Sequence, residues 1–488
     1  MDEFVNKIVT LLTTTNKRLS AVKNPDGFLL RDDTRKILFE KNGLELLQIK
    51  SGIELRVRYE LTDKFSDKRI CYVVDDTNDL LPDLKSVIFE APVFTLAKMI
   101  PSYDKNEILQ SNVNFDMASF IYNKKITRNL SLEETRFIVT EADDIYGWDM
   151  KENITDLKSI ELRWENVETI DKISTIIINA IKKDAYDEIK PAIEQLNDNF
   201  QEFLDKRYYF NINSSYIQKP QMVHKILPYI EHKHQRFDKV ALIVIDGMSF
   251  WQYLILDQLL AQKGIETKKD MTFAWVPSIT KLSRQAIFRG EAPTTDYNQS
   301  PTQESHLWTN YWTSSKRSPQ KQMQDYEVNY THGKLSINNN SYRQAFVDVT
   351  IDEKMHSLDS NKDLFALTKN WAEKISDDIK IIHEQNYHIY ITTDHGNILS
   401  EPWRSLNNQE KTYLFDKESR GRRHVIYNNT NYLNDFINTN QEIKNQLLIH
   451  DSWAVWRNTK SFFNNQSITH GGAHFLEVII PFITIKKK

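Results

Sequence analysis

The chain has 488 residues, of which 40% are hydrophobic and 27% are charged, and its formal net charge is −4 at pH 7. This composition is that of a globular protein large enough for two or three domains, and it excludes a disordered or fibrous chain. The slight acidity argues against a protein that grips nucleic acid through a broadly basic surface, while a local basic cleft stays open.

Cysteine content and hydropathy bear on the compartment. The single cysteine, Cys71, excludes an internal disulfide and a thiolate zinc cluster, which suits a reducing cytoplasm. The start of the sequence, MDEFVNKIVTLL, lacks the basic and apolar segments of a signal peptide. No apolar run approaches the ~20 residues that a membrane-spanning helix needs. We therefore expect a cytoplasmic protein without a membrane partner.

Residues 1–125 predict a smaller N-terminal α/β domain. Short strands are predicted, from alternating or continuous apolar residues, at residues 44–49, 54–59 and 70–74, with helices at residues 81–87 and 96–100. The pattern then changes, and residues 126–236 predict a helical connector. Three stretches there have apolar residues at three- and four-residue spacing on charged surfaces: residues 132–143, 167–185 and 186–206. A short helix at residues 222–227, ending at Pro228, leads to the next domain.

Residues 237–488 alternate predicted strands and helices, which is typical of a mostly parallel sheet with helices on both faces. The run VALIVI at residues 240–245 is typical of a strand buried on both sides, and Asp246-Gly247 follows it directly. Further strands are predicted at residues 273–276, 345–351, 389–392 and 477–485, and helices at residues 248–262, 281–288 and 364–383.

Three of these strands lead directly into aspartates, namely Asp246, Asp352 and Asp394. Because the carboxyl ends of parallel strands meet at one edge of a sheet, we expect the three carboxylates to lie together where open α/β sheets bind their ligands. Asp348 competes with Asp352, but it lies inside the predicted strand and no histidine follows it by four residues.

Histidines accompany these acids. His395 follows Asp394, and His356 follows Asp352 by four residues, a spacing that places both side chains on one face of a helical turn. His470 precedes two glycines and is preferred over His474 as a ligand. Carboxylates and neutral imidazoles without thiolates suit a hydrolytic zinc or manganese site.

Thr280 stands between the first two aspartates in sequence, at the start of a predicted helix. Its alternative role is that of a helix-capping hydroxyl, which Ser278 could equally provide. Other conspicuous residues have ordinary readings. The arginines Arg420, Arg422 and Arg423 form a cluster that we expect to be solvated, and the aromatic segment at residues 307–312, followed by Lys316 and Arg317, packs a cap or stacks on a nucleobase.

The chain contains, in this order, a strand followed by Asp-Gly, VPSIT with a following arginine, D-x-x-x-H, a strand followed by Asp-His-Gly, and a late His-Gly-Gly. This series of motifs resembles the alkaline phosphatase superfamily, specifically its PglZ branch. The segments SRQAIFRGEAP and HGGAHFLEVIIP belong to the resemblance, which covers about residues 238–485, and a weaker similarity extends into the N-terminal region. The implied fold is alkaline-phosphatase-like.

The resemblance implies a two-metal hydrolase with two divalent ions, most readily zinc, with manganese as the alternative. Thr280 would be the metal-activated nucleophile. The first ion would be held by Asp246, Thr280, Asp394 and His395, and the second by Asp352, His356 and His470. Arg284, one turn after Thr280, would bind the substrate phosphate, together with the first N–H groups of the helix.

The leading functional prediction is a phosphoester hydrolase, with phosphodiesters of nucleotides or oligonucleotides preferred, in a bacterial phage-defence setting of the BREX type. The alternative is a partner-binding or scaffold component of a multi-protein defence complex, with incidental or no hydrolysis. All seven ligand positions carry suitable residues, which favours the enzyme. A sulfatase would need a cysteine or serine that can be converted to formylglycine, and the only cysteine, Cys71, lies outside this domain.

Overall fold

The structure is a computed structural model, and it describes residues 3–76, 80–111, 113–147, 150–214, 218–294, 296–315, 318, 320–415 and 422–488. The chain divides into two compact units, Met1–Asp149 and Met150–Lys488. The helices of the predicted connector are shared between these units, because the first of them packs with the N-terminal sheet domain and the later ones pack with the second unit. None of the helices in the described ranges is both long and apolar enough to span a membrane.

The first unit is built on a four-stranded parallel sheet in the order β2-β3-β1-β4. Its strands are β1 (Leu19–Lys23), β2 (Leu44–Ile49), β3 (Arg69–Val74) and β4 (Ile88–Glu90). Its helices are α1 (Glu3–Leu12), α2 (Asp32–Asn42), α3 (Gly52–Leu61), α4 (Leu84–Val87), α5 (Leu96–Met99), α6 (Lys105–Gln110), α7 (Phe115–Asn123) and α8 (Leu132–Tyr146). The predicted α/β character of this region is confirmed.

The strand predicted at residues 54–59 is wrong, because this segment forms part of helix α3. The sequence alternates between apolar and charged residues, which suggested a strand, but its N-terminal flank carries helix-start signals. Ser51 accepts a hydrogen bond from the Glu54 N–H, and the Glu54 carboxylate accepts one from the Lys50 N–H. These two side chains accept hydrogen bonds from backbone N–H groups at the start of the helix. In a strand, such N–H groups would instead bond to a neighbouring strand.

The second unit contains a six-stranded sheet in the order β6-β16-β9-β5-β8-β7. Its strands are β5 (Val240–Ile245), β6 (Lys268–Phe273), β7 (Val328–His332), β8 (Arg343–Asp348), β9 (His388–Thr392) and β16 (Ile479–Ile485). Four adjacent strands, β9, β5, β8 and β7, are parallel to one another. Strand β16 is antiparallel to both of its neighbours, β6 and β9. The predicted class, a mostly parallel sheet, is confirmed.

Helices cover both faces of this sheet. The helices of the second unit are α9 (Met150–Ser159), α10 (Val167–Lys182), α11 (Tyr186–Ile212), α12 (Ile226–Lys233), α13 (Phe250–Gln262), α14 (Thr280–Arg289), α15 (Pro301–Thr313), α16 (Thr350–Met355), α17 (Asn361–Glu384), α18 (Asn408–Thr412), α19 (Thr430–Thr439) and α20 (Phe475–Val478). Alternate residues of β5 share one apolar core with α12, α14 and α15, while α10, α13 and α17 pack together. All six residues of β5 are buried, as expected for a strand covered on both faces.

Several predicted boundaries differ in this unit. Strand β8 ends at Asp348, so Asp352 lies in the first turn of helix α16 and not at the end of a strand. The predicted strand at residues 273–276 is displaced toward the N-terminus, as β6. Residues 475–478 form the short helix α20 before β16 begins. Pro228 does not end a helix but lies in the first turn of α12, where a backbone N–H would have no partner within the helix.

A small subdomain is inserted between β9 and β16. Its strands are β10 (Ile398–Pro402), β11 (His424–Ile426), β12 (Leu447–His450), β13 (Trp453–Trp456), β14 (Lys460–Ser461) and β15 (Ser467–Thr469). They form two three-stranded sheets, β14-β10-β15 and β11-β13-β12. The subdomain has an apolar core of its own, which includes Val425, Phe436 and Trp456. This insertion separates His395 from His470 in sequence.

Candidate active site and metal centre

The first group of candidate ligands lies at the carboxyl ends of two adjacent parallel strands. Asp246 follows β5 directly, and Asp394 and His395 follow β9, its hydrogen-bonded neighbour. The Nε2 atom of His395 lies 3.6 Å from Asp246 Oδ1 and 3.7 Å from Asp394 Oδ2. The three side chains are buried, and their ligand atoms lie within 4.8 Å of one another.

The second group combines Asp352 of α16 and His356, the C-cap residue of that helix, with His470 in the loop before α20. Asp352 Oδ1 lies 3.3 Å from His356 Nε2 and 3.4 Å from His470 Nε2. The two groups are neighbours, because the rings of His395 and His470 stack with centroids 3.8 Å apart and an interplanar angle of 11°. The structure therefore brings together the six acids and imidazoles that the sequence predicts as ligands, although Asp352 arrives on a helix.

The chemistry of this donor set fits divalent cations. Four buried atoms have no hydrogen-bond partner, namely Asp246 Oδ1, Asp352 Oδ1, Asp394 Oδ2 and His356 Nε2. A buried polar atom left without a partner costs about 1–3 kcal/mol, so four of them facing two small spaces indicate ligands and not packing residues. Tetrahedral zinc with bonds of 2.0–2.1 Å places its ligand atoms about 3.3–3.5 Å apart, close to the separations in the second group.

Hydrogen bonds outside the ligand atoms orient the imidazoles. His395 Nδ1 donates to the Gly396 carbonyl and His470 Nδ1 donates to the Ser278 carbonyl, each at 3.0 Å. A carbonyl can only accept, so each Nδ1 carries the proton and each Nε2 presents a lone pair to the centre. Asp394 Oδ1 accepts from the N–H groups of Gly247 and His395, which leaves Oδ2 for a ligand.

Electrostatics at the centre favour a bound cation. Burial raises the pKa of Asp246 well above its ordinary value, and the neighbouring charges of Asp394 and Asp352 raise it further. Burial lowers the pKa of His470 well below its usual range, so this imidazole stays neutral, as a metal ligand must be. Burial also raises the pKa of Asp352, but the surrounding histidines lower it more. Acids that repel one another beside a neutral imidazole are stabilised in their charged form by a bound cation.

Thr280 is the first residue of helix α14, and its hydroxyl lies 3.1 Å from His395 Nε2. It lines a cavity of about 440 Å³ together with Asp246, Asp352, His470 and Lys281. Ser278, its competitor in sequence, is fully buried and donates to the Gly472 carbonyl. Neither hydroxyl caps the helix, since the N-cap residue is Ile279. Only Thr280 of the two faces the cavity.

Arg284 lies beside the first group in a buried ion-pair network. Its Nη1 donates to Asp246 Oδ2 at 2.6 Å, and its Nε donates to Glu304 Oε1 at 2.7 Å. The guanidinium therefore orients a candidate metal ligand through the carboxylate oxygen that faces away from the centre. The binding of Arg284 to a substrate phosphate stays a prediction. The nitrogen that these two ion pairs do not use is Nη2, which lies 3.5 Å from His332 Nε2.

A second buried ion pair was missed from the sequence. Arg423, which we expected to be solvated, is fully buried, and its Nε and Nη2 donate to the two carboxylate oxygens of Glu477. Glu477 Oε1 also accepts from the Gly472 N–H at 2.9 Å and from the Ser278 hydroxyl at 3.4 Å. This carboxylate thus joins the loop that carries His470 to the loop that carries Thr280. A glutamate between Leu476 and Val478 in an apolar run was the available signal.

The aromatic segment at residues 307–312 is not a ligand platform. It lies in helix α15, where Trp308 and Trp312 are buried in the core of the second unit. Lys316, Arg317 and Arg420 lie outside the described residues. His474 caps α20 through its Nδ1 atom, so it supports the loop rather than the cavity.

Comparison with known proteins shows what the chain resembles. Murine ectonucleotide pyrophosphatase/phosphodiesterase 5 has a similar structure, at 10% identity and a TM-score of 0.38, over 51% of this chain and 88% of that one. An inactive variant of the murine protein in complex with AMP gives 10% identity, a TM-score of 0.35, and coverages of 51% and 87%. Phosphonoacetate hydrolase from Sinorhizobium meliloti 1021, in complex with phosphonoformate, gives 10% identity, a TM-score of 0.36, and coverages of 51% and 90%.

Among curated proteins, no similar sequence is found. The family model described as the BREX system PglZ alkaline phosphatase-like domain matches residues 221–485, more than half of the chain. The matched range contains both groups of candidate ligands and Thr280. The chain belongs to the PglZ family of alkaline phosphatase-like domains.

Proposed function

We propose that this protein is a two-metal phosphoester hydrolase, a phosphodiesterase acting on nucleotides or oligonucleotides, with Thr280 as its nucleophile. We also propose that the protein acts in BREX phage defence and that other defence proteins are its partners, and the family description supports this setting. The observation that carries the proposal is the pair of adjacent ligand groups beside the Thr280 hydroxyl, in one cavity.

The residues would hold two divalent ions, zinc or manganese. Asp246, Asp394, His395 and Thr280 would hold the first. Asp352, His356 and His470 would hold the second. Bound there, the ions would stabilise charge on the phosphoryl oxygens and on the leaving group and lower the pKa of the attacking hydroxyl.

The remaining chemistry belongs to the chain. The Thr280 oxygen releases its proton and attacks phosphorus, the bond from phosphorus to the leaving oxygen breaks with its electron pair, and the leaving oxygen takes up a proton. The phosphoryl group, which still carries its other ester group, stays bound to Thr280 until water hydrolyses that bond. Thr280 Oγ1 lies 3.1 Å from His395 Nε2, a separation that suits two ligands of one ion. Arg284 holds Asp246 in place, and the N–H groups of the first turn of α14 lie beside Thr280, where they can donate to a phosphate oxygen.

The test is hydrolysis of bis-p-nitrophenyl phosphate with added zinc or manganese. We expect Thr280→Ala to lose at least about a thousand-fold in kcat, because loss of a nucleophile removes several orders of magnitude. Thr280→Ser, which keeps a hydroxyl, is the matched control and should retain measurable activity. Equal rates for wild type and Thr280→Ala, or no loss of activity with a chelator, would contradict the proposal. An inactive wild type that binds two ions would favour the scaffold role instead.

A further inference from the structure

A second cavity, of about 240 Å³, adjoins the first at the nucleophile. Ile279 and Lys281 line both cavities, and Thr280 stands between them in sequence. Because consecutive Cα atoms are ~3.8 Å apart, the second cavity begins within one residue of the attacking hydroxyl. A substrate with its phosphate at the metal centre and a bulky group attached to it can therefore extend into this second cavity.

The walls of this second cavity are aromatic. Tyr209, His450 and Trp453 form a row, with ring centroids 5.4 Å apart and interplanar angles of 26° at both steps. Trp275 and Phe415 add further rings to the lining. Tyr209 and Phe415 are about half exposed, so each ring keeps surface that a ligand can contact. Rings left open beside a polar reaction centre favour a planar aromatic ligand that stacks on them.

The inserted subdomain supplies part of both cavities. On strand β11, His424 lines the cavity at the metal centre and Ile426 lines the aromatic cavity. These residues are two apart on a strand, so they share one face of it. The β12–β13 hairpin adds His450 and Trp453 from the same sheet. The two cavities are therefore consecutive compartments along one sheet face, and one ligand can occupy both.

A cation marks the boundary between the compartments. Lys281 lines both cavities, and its ammonium lies 5.6 Å from the centre of the Phe415 ring. A positive charge at this place suits the phosphate of a ligand whose ring occupies the aromatic side. The candidate metal ligands and the Lys281 ammonium would contact the phosphate of a nucleotide, and the aromatic rings beyond them would contact its base.

We propose that the aromatic cavity is a nucleobase subsite, which makes the substrate a nucleoside phosphodiester and not a small alkyl diester. This inference rests on the proposed function and names its substrate class. Stacking on any base is sequence-tolerant, because every base has a π-face. The subsite therefore holds the base without selecting one by hydrogen bonds.

The experiment compares two diesters with the same leaving group. One is the p-nitrophenyl ester of thymidine monophosphate, and the other is methyl p-nitrophenyl phosphate, which has no base. Trp453→Leu and Tyr209→Leu should lower kcat/KM for the thymidine ester by about 5- to 100-fold, the range that loss of one stacking contact gives, and leave the methyl ester unchanged. Tyr326→Leu is the matched control, since Tyr326 is exposed and lines neither cavity. It should change neither rate.

Equal losses on both diesters, or no loss on either, would overturn the subsite. If the wild type hydrolyses neither diester, the proposed function fails and the subsite is decided by equilibrium dialysis of AMP with the metal-loaded protein. Binding that Trp453→Leu weakens at least fivefold supports the subsite. No binding, or equal binding by wild type and Trp453→Leu, overturns it.

Discussion

Glu477→Gln is the sharpest test of how the loop that carries His470 is joined to the loop that precedes Thr280. The carboxylate is fully buried, and each of its oxygens accepts at least two hydrogen bonds. An amide NH₂ in either position would face donors from Arg423 and a backbone N–H, and the Arg423 charge would lose its counter-charge. Breaking a buried ion pair in this way costs about 3–5 kcal/mol.

The control is the same substitution at a more exposed pair. Glu401 contacts Lys190 and Lys460, and about a third of its side chain is exposed. Exposed pairs contribute about 0–1 kcal/mol, so Glu401→Gln should cost at least about 2 kcal/mol less than Glu477→Gln. The double variant Arg423→Met/Glu477→Leu removes both charges but leaves the N–H groups of Gly472 and His474 without an acceptor, so it should recover only part of the loss.

The assay is urea unfolding followed by tryptophan fluorescence. Nearly all tryptophans of the chain lie in the second unit, so the signal reports that unit and not a two-state transition of the whole chain. A loss for Glu477→Gln no larger than that of Glu401→Gln would refute the reasoning.

Three further predictions concern the site and its surroundings. Arg284→Lys should weaken metal binding about 10- to 100-fold, as measured by calorimetry. The reason is that one ammonium cannot contact both Asp246 and Glu304 as the guanidinium does. An unchanged metal affinity would contradict the role of Arg284 in positioning Asp246. His470→Ala should reduce bound metal from about two ions to about one per chain by elemental analysis, with two retained ions as the contrary result. Burial lowers the pKa of His224 to about 4. Because the unfolded chain takes up this proton near pH 6.5, stability should fall as the pH drops from about 6.5 to 4, and the Tm of His224→Phe should fall less over that window.

Much of the sheet was predictable because its signals are local. An apolar run as long as a strand, followed at once by an aspartate and a glycine, needs no distant partner to be recognised, and β5 confirms it. The amphipathic spacing of α10 and α17 is equally local. Segment 54–59 shows the limit, because its alternation suited a strand while its capping residues, Ser51 and Glu54, specified a helix.

The site was predictable as a set of residue types in a certain order, and less so as geometry. Asp352 and His356 were paired by their helical spacing, which holds, but the strand before them ends three residues earlier than predicted. The aromatic cavity had no linear signature, since Tyr209, Phe415 and Trp453 come from separate parts of the chain.

Sequence alone determined the order and type of the candidate ligands, the buried strands and the family resemblance, because these depend on short motifs and on the order of those motifs along the chain. Tertiary structure alone decided that Arg423 is buried and that Trp308 lies in the core and not over the site. The reason is physical: a charged side chain can be buried only where a distant residue compensates it, and Glu477 lies more than fifty positions away.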